Sequence, residues 1–502
     1  MKQTVLLILL VLFYKGSTAQ AYDRSWLIGT ECMIKLTMNG INYDTSSFEC
    51  GTARTLMDLP GSNISDTAGN ILFFSVGSRV GNPLAQIMEN GDTLVDSLFF
   101  ATVFDIPAAQ ATLILPRSNN TFYLFYYSES DSLLASNFGE PDRLYYAIVD
   151  MNANGGLGKV LKKKQVVHKG LLGEGRLTAC RHANGRDWWM VHQGYADDAY
   201  YIYLVTPDSV YPPHIQHIGP SNFWDNSDAA FATFSPDGSK FATVTAVSPL
   251  ILMDFDRCTG TFSNPDSIFI PTDTFRYNGY PSPLVTLNGG SSCSFSPNGR
   301  YLYFTNLIDI VQYDTWALNV QASAVTVGRW DTVGPAGGDA EFYLMYLLPN
   351  GKIIVDDYGP GVNGSFHLID SPDIGGRGCH FRFNGLPTTT NNANVLPNMI
   401  NYRLGALAGS GCDTVTGISE SKVDKSALKL YPNPANSKIT VSLMQYYKNA
   451  KLYIYDALGR EMYKDESMYL DADIDLGGFT NGIYFVRILS PDGNAAAKFV
   501  KE

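Results

Sequence analysis

Three observations predict an all-β protein. Short turn-then-strand units recur along most of the chain, aromatic and glycine residues are abundant while charge is sparse, and no long helical period competes with them. Phe234-Ser235-Pro236-Asp237-Gly238 and Phe295-Ser296-Pro297-Asn298-Gly299 are near copies. Each is followed closely by a β-rich run, Phe241-Ala242-Thr243-Val244 after Lys240 and Tyr301-Leu302-Tyr303-Phe304 after Arg300. Leu348-Pro349-Asn350-Gly351 before Ile353-Ile354-Val355 is a third copy.

Weaker copies stand upstream. Asp66 to Asn70 precedes Ile71-Leu72-Phe73-Phe74, Arg117 to Asn120 precedes Thr121 to Phe125, and Ala183 to Arg186 precedes Trp188 to Val191. The six turns recur roughly every 50–65 residues, the spacing of four-stranded blades in a β-propeller. Each turn should join two antiparallel strands of one blade. Further strands end several units, at Leu252 to Arg257, Ile310 to Asp314 and Phe366 to Asp370. A ring must close, because an open blade edge leaves backbone groups unpaired. Trp26 to Leu36 together with Asn398 to Gly405 can supply a closing blade. Seven blades are therefore expected, with six or eight as alternatives.

The last residues form a second, smaller β unit. Ile439, Val441 and Leu443 alternate with polar neighbours, Leu452 and Ile454 do the same, and Gly482 to Leu489 is an almost continuous apolar run. Several short strands in this length predict a small immunoglobulin-like β-sandwich. The expected organisation is a signal peptide at 1–19, a propeller at 20–410, a polar linker at 411–426 and the sandwich at 427–502.

At the N-terminus, Lys2 precedes a short apolar run, Val5 to Phe13, and then Gly16-Ser17-Thr18-Ala19. This is the pattern of a secretory signal, too short to span a bilayer. Cleavage is expected between Ala19 and Gln20, or alternatively after Ala21. No later stretch predicts a membrane span.

The chain carries a net charge of −12. Losing Lys2 and Lys15 with the signal would take it to −12 − 2 = −14. An acidic chain without a basic cluster excludes general nucleic-acid binding. Lys162-Lys163-Lys164 reads as a solvated hairpin turn.

Seven cysteines leave at least one unpaired if disulfides form. The local pairs Cys32–Cys50 and Cys379–Cys412 are plausible, with connectivity open. Cys180 and Cys293 read as small buried strand residues.

Catalytic and cofactor signals are weak, and no cofactor is expected. Gly359 to Gly364 matches GxGxxG but precedes a strand rather than a helix, so it reads as a blade loop. His214 and His217 follow Pro212-Pro213, which favours an extended loop over a metal-binding helical turn. His182 and His192 flank the Trp188-Trp189 strand and read as structural. Asp254 with Asp256, Asp356 with Asp357, and Asp471, Asp473 and Asp475 are acidic groups whose separations the sequence does not give.

Two resemblances add to this. Leu428-Lys429-Leu430-Tyr431-Pro432-Asn433-Pro434, Leu458-Gly459-Arg460, Asn481-Gly482-Ile483-Tyr484 and the basic last strand with Lys498 and Val500 resemble the type A C-terminal sorting domain of the type IX secretion system of Bacteroidota. That resemblance implies a partner, the secretion machinery, and export through the periplasm to the outer-membrane surface or the medium. Separately, the Phe-Ser-Pro-Asp-Gly units resemble WD40-like (PD40) repeats, in a propeller class common in secreted Bacteroidota proteins. This implies fold and no activity.

Asp-(Ser/Thr)-aliphatic or Ala triplets place Thr67, Thr93, Ser97, Ser132, Ser209, Ser267, Thr332 and Thr414 in a pattern resembling the O-glycosylation motif of such proteins. Asp-Ser and Asp-Thr are equally good turn formers, and both readings stand. The expected function is a non-catalytic protein- or glycan-binding propeller. A glycan hydrolase or lyase with carboxylates or histidines in the central funnel is the alternative.

Overall fold

The computed structural model describes residues 22–28, 34–39, 42–47, 61–97, 109–135, 140–173, 175–221, 230–245, 248–269, 276–277, 280–281, 291–306, 308–330, 341–358, 365–387, 396–412, 428–443, 450–456, 460–468, 470–490 and 493–502. The signal segment, Cys32, Cys50, the GxGxxG segment, Gly459, Thr332 and Thr414 lie outside them. The chain divides into two compact units, Met1–Asp413 and Thr414–Glu502.

The first unit is a β-propeller. Among the described residues its strands form seven successive antiparallel sheets of three or four strands, each laid out in chain order, besides one two-stranded pair. The first strands are Ser25–Ile28, Ser62–Ser65, Thr112–Pro116, Thr178–Arg181, Ala230–Phe234, Ser292–Phe295 and Glu341–Leu347. First strands of the first three sheets touch in succession, and so do those of the fourth to seventh. The seventh sheet meets the first where Trp26 packs edge-on against Tyr346 at 5.8 Å. A separate pair, Arg276–Tyr277 with Tyr280–Pro281, lies between the fifth and sixth sheets in sequence.

All six sequence turns join the first and second strands of a sheet, and in two of them the same side-chain bonds rebuild the turn. In the fifth sheet Ser235 Oγ donates to Asp237 Oδ1 (2.6 Å) and accepts from Lys240 N–H (2.9 Å). In the sixth, Ser296 Oγ donates to Asn298 Oδ1 (2.8 Å) and accepts from Tyr301 N–H (3.0 Å). The closing residues Gly238 and Gly299 both take φ of 73°, open to glycine at little cost. The second strands that follow lie between neighbouring sheets and are buried on both faces; Trp188–Gln193 is buried throughout. Each large side chain buried there contributes roughly 1.5–3 kcal/mol.

Two expectations are corrected here. Lys162-Lys163-Lys164 is not a turn but part of the edge strand Lys159–Lys169, whose register is irregular. Solvated lysines suit an edge that must not pair further. Asn398 to Gly405 forms no strand of a closing sheet. The first sheet is completed instead by Asn42–Ser47, paired with Ile34–Asn39.

The second unit is a two-sheet β structure. Leu428–Tyr431, Lys438–Leu443 and Asp471–Asp475 form one sheet, and Glu461–Met468, Ala450–Asp456, Gly482–Ser490 and Gly493–Lys501 the other. Ile439, Val441, Leu452, Ile454, Val486, Ile488 and Phe499 make its core.

Candidate functional site: a plugged channel and an arginine groove

Residues 396–407 run along the axis of the propeller. They start beside the opening residues of the first strands. Asn398 is 1% exposed. Its N–H donates to Gly61 O (2.7 Å), and its Nδ2 donates to Thr112 O (2.7 Å) and Leu177 O (2.9 Å). Gln110 reaches across the same level. Its Nε2 donates to Ala232 O and its Oε1 accepts from Ala232 N–H, both at 2.9 Å, as a neighbouring strand would. Gln110 Nε2 is also 3.4 Å from Asn398 Oδ1. Asparagine and glutamine suit this place because each offers both a donor and an acceptor, without charge, to carbonyls and N–H groups stripped of water.

The segment leaves at the turn end. The Tyr402 hydroxyl donates to Ile114 O (2.7 Å), Asn401 Nδ2 to Pro236 O (2.9 Å), and Leu407 N–H to Ala183 O (2.8 Å). Arg257, 4% exposed, donates to the carbonyls of Arg181 (2.8 Å), Asp237 (3.2 Å) and Gly405, clamping the exit. Beyond it, Cys412 is disulfide-bonded to Cys258. This corrects the expected Cys379–Cys412 pair. Cys379 is a buried free thiol of the seventh sheet, whereas Cys258 lies on the turn that the segment passes. Cys180 and Cys293 are buried and free, as expected.

Hollows open at the turn end among the described residues. One, of 280 Å³, is the rest of the channel, lined among others by Asp23, Trp26, Tyr346, Met399 and Arg403. Another is an open groove of 490 Å³ carrying Arg117, Arg181, Arg186 and Arg403, with Tyr22, Leu404 and backbone of the exiting segment. No Asp or Glu lines it. Arg181 lies flat over Trp188 at 3.8 Å and donates to Arg186 O (3.1 Å) and Tyr402 O (3.2 Å). Burial pushes its guanidinium down to about 10, still charged at neutral pH.

Other titratable clusters are enclosed. Asp356 and Asp357 follow each other on Ile353–Tyr358 and so point to opposite faces. Asp356 Oδ1 accepts from Leu344 N–H at 2.5 Å. Asp357 Oδ2 stands 3.7 Å from His367 Nε2, with side-chain exposures of 5% and 0%. Burial lifts the Asp357 carboxyl to about 7 and drops His367 to about 4. Trp330, Phe342, Phe381 and Phe383 surround this imidazole. His192 is likewise fully buried, 3.3 Å from the Tyr203 hydroxyl, and driven down to about 3 by burial. Both histidines are fully buried among the described residues and read as structural.

The remaining sequence candidates are dispersed. His214 and His217 lie on the exposed strand His214–His217, where a spacing of three puts them on opposite faces; His217 pairs with Asp198 at 2.7 Å. Asp254 binds Lys240 and Asn264, both at 2.9 Å, and Asp256 caps its turn through Cys258 N–H. Asp473 pairs with Lys438. Of the triplet hydroxyls within the described residues, Thr67, Ser97, Ser132 and Ser209 are exposed, and Thr93 and Ser267 are half-buried. No group of three or more His, Cys, Asp or Glu suited to a metal occurs among the described residues. The groove itself escaped sequence reading, since its arginines are scattered over 117–403 with no motif.

In the second unit, part of the sequence motif lies along the last strand. Asn433 Nδ2 donates to Lys498 O and its Oδ1 accepts from Val500 N–H, both at 3.0 Å, tying the entry loop to the last strand. Tyr484, 2% exposed, stacks on Phe499 and donates to Thr480 O (2.7 Å).

Residues 429–502 match the family described as a secretion system C-terminal sorting domain. No curated protein matches the chain. Among solved structures, the chain is similar to PorZ, a surface component of the type-IX secretion system of Porphyromonas gingivalis (11% identity, 97% of this chain and 82% of that one, TM-score 0.19). It is also similar to a β-propeller domain from Myceliophteria thermophila (9% identity, 78% and 96%, TM-score 0.31) and to a periplasmic gluconolactonase of Pseudomonas aeruginosa (10% identity, 90% and 98%, TM-score 0.34). The chain is thus a β-propeller with a type IX sorting domain, a protein exported to the cell surface or the medium. No helix among the described residues is long and apolar enough to cross a membrane.

Proposed function

We propose that this exported protein is a seven-bladed, non-catalytic module that binds a protein or a glycan on the turn end of its propeller. One observation carries the reading. The axial level, where the alternative would put its carboxylates or histidines, is crossed by the chain's own uncharged Asn398 and Gln110, and the carboxylate of the hollow left beside them, Asp23, is already paired with Arg403. The groove beside the exit is open by contrast. The chain enters the periplasm by a signal cut between Ala19 and Gln20. The secretion machinery then reads the sorting domain through its motif residues, Tyr431, Pro432, Asn433, Pro434, Lys498 and Val500 with Asn481, Gly482 and Tyr484, and Gly459 belongs to the same motif. The tail is removed within or just beyond 411–426. Sugars on the exposed triplet hydroxyls keep the loops soluble.

The test has two arms. Mass spectrometry of medium and outer-membrane fractions, with and without a working secretion system, should find peptides confined to about 20–425 outside the cell and lost in the secretion knockout. Capture on the purified chain from protein and glycan arrays should return a ligand with no turnover of it. An intact C-terminus held in the periplasm would overturn the export route, and consumption of a captured glycan would overturn the non-catalytic reading.

A further inference from the structure

We infer that the groove of Arg117, Arg181, Arg186 and Arg403 is an oxyanion-binding site, built for a carboxylate, sulfate or phosphate group of an external ligand. This deepens the binding reading and rests on it. The chain is acidic overall, at −12, yet this groove gathers four guanidinium groups and no lining carboxylate. Gathering like charges is unfavourable unless something compensates them.

Two of the four have a carboxylate partner, and that carboxylate is turned inward. Arg403 binds Asp23, and Arg186 binds Asp187; side-chain exposures are 39% and 49% for the arginines against 7% and 5% for the acids. The groove therefore sees guanidinium and not carboxylate. The other two are held by neutral groups. Arg181 is fixed by Trp188 and two carbonyls. Its Nε is buried without a hydrogen-bond partner. Arg117 sits over the Tyr123 ring at 4.6 Å and donates from Nε to Pro207 O (3.0 Å). The exposed Asp208 stands on the adjoining turn, outside the lining.

Each guanidinium is thus held in place before a ligand arrives, so little side-chain entropy is lost on binding. The planar fork of arginine matches oxyanion geometry, and charge-assisted bonds of this kind are about twice as strong as neutral ones. At 490 Å³ the groove exceeds the needs of a bare ion. Tyr22, Pro116 and Leu404 provide walls for the carbon frame of an acidic sugar.

The test is calorimetric titration of the full chain at low ionic strength with inorganic sulfate, a galacturonate trimer and a neutral galactose trimer. Both anionic probes should bind saturably and compete, and the neutral trimer should not bind. Arg117→Gln should weaken both by about tenfold, the worth of one charge-assisted bond. Arg117→Lys should keep part of that affinity. Arg300→Gln, on the sixth sheet, should change nothing. Melting curves of each variant confirm that it folds. Sulfate and galacturonate binding equally would mark a free oxyanion as the ligand, and tighter galacturonate would mark an acidic glycan; either supports the site. Absence of saturable anion binding by the folded chain, equal binding of the neutral trimer, or equal losses in Arg117→Gln and Arg300→Gln would overturn it. Partner capture that survives such a failure leaves the binding reading standing without this ligand class.

Discussion

Arg403 Nε lies 2.9 Å from Asp23 Oδ1, joining positions 380 residues apart in sequence. The pair fastens the exit of the axial segment to the residues that lead into the first sheet. Burial nonetheless raises the Asp23 carboxyl, outweighing the pull of Arg403 in the other direction. Removing Arg403 therefore leaves a costly buried acid. Arg403→Gln should destabilise the propeller by about 2–3 kcal/mol, and Asp23→Asn in the same chain should recover part of that. Denaturant unfolding of the two variants checks it; an unchanged midpoint for Arg403→Gln would rule out the fastening role.

Asn398 satisfies carbonyls from the second, third and fourth sheets' inner region at once. Asn398→Ala strands the Thr112 and Leu177 carbonyls in a dry interior. A loss of about 2–4 kcal/mol is expected. Hydrogen exchange should quicken at 396–407 and spare the second unit.

The Cys258–Cys412 bond closes a span of 154 residues. Cross-links over such long loops stabilise by roughly 2–5 kcal/mol, chiefly by restricting the unfolded chain. Cys258→Ser should lower the melting temperature, and a reductant should bring the native chain to the same value. A reductant-insensitive native chain would contradict the bond.

Asp357 gives a pH signature. Its folded value, about 7, exceeds the ordinary 3.8. The protonated acid thus favours the fold, and that contribution is full below about pH 4 and lost as pH rises through about 7. Asp357→Asn lacks the ionisation. The stability of the variant relative to the native chain should rise between pH 4 and pH 8, by up to about 4 kcal/mol. His367 acts oppositely: held down at about 4, it costs stability as pH falls through that value. Melting curves across this range separate the two, because the asparagine variant retains only the acid-side loss.

The sequence by itself determined the repeating unit and the sorting domain. Ser235-Pro236-Asp237-Gly238 and Ser296-Pro297-Asn298-Gly299 close their turns with bonds among neighbouring residues, so a local string suffices to specify them. Asn433 and Tyr484 were legible for a related reason, as parts of a short motif with fixed spacing. Tertiary structure alone decided what fills the axis, which cysteine Cys412 meets, and where the arginines gather. Residues 398–405 offer themselves in the sequence as a closing strand only because a ring must close. They run along the axis instead, because Asn42–Ser47 already completes the first sheet and the axial carbonyls need donors that water cannot supply. The groove draws Arg117 from one turn, Arg181 and Arg186 from a second, and Arg403 from the exiting segment. Local sequence carries no signal for such a meeting, since it exists only once the ring has closed.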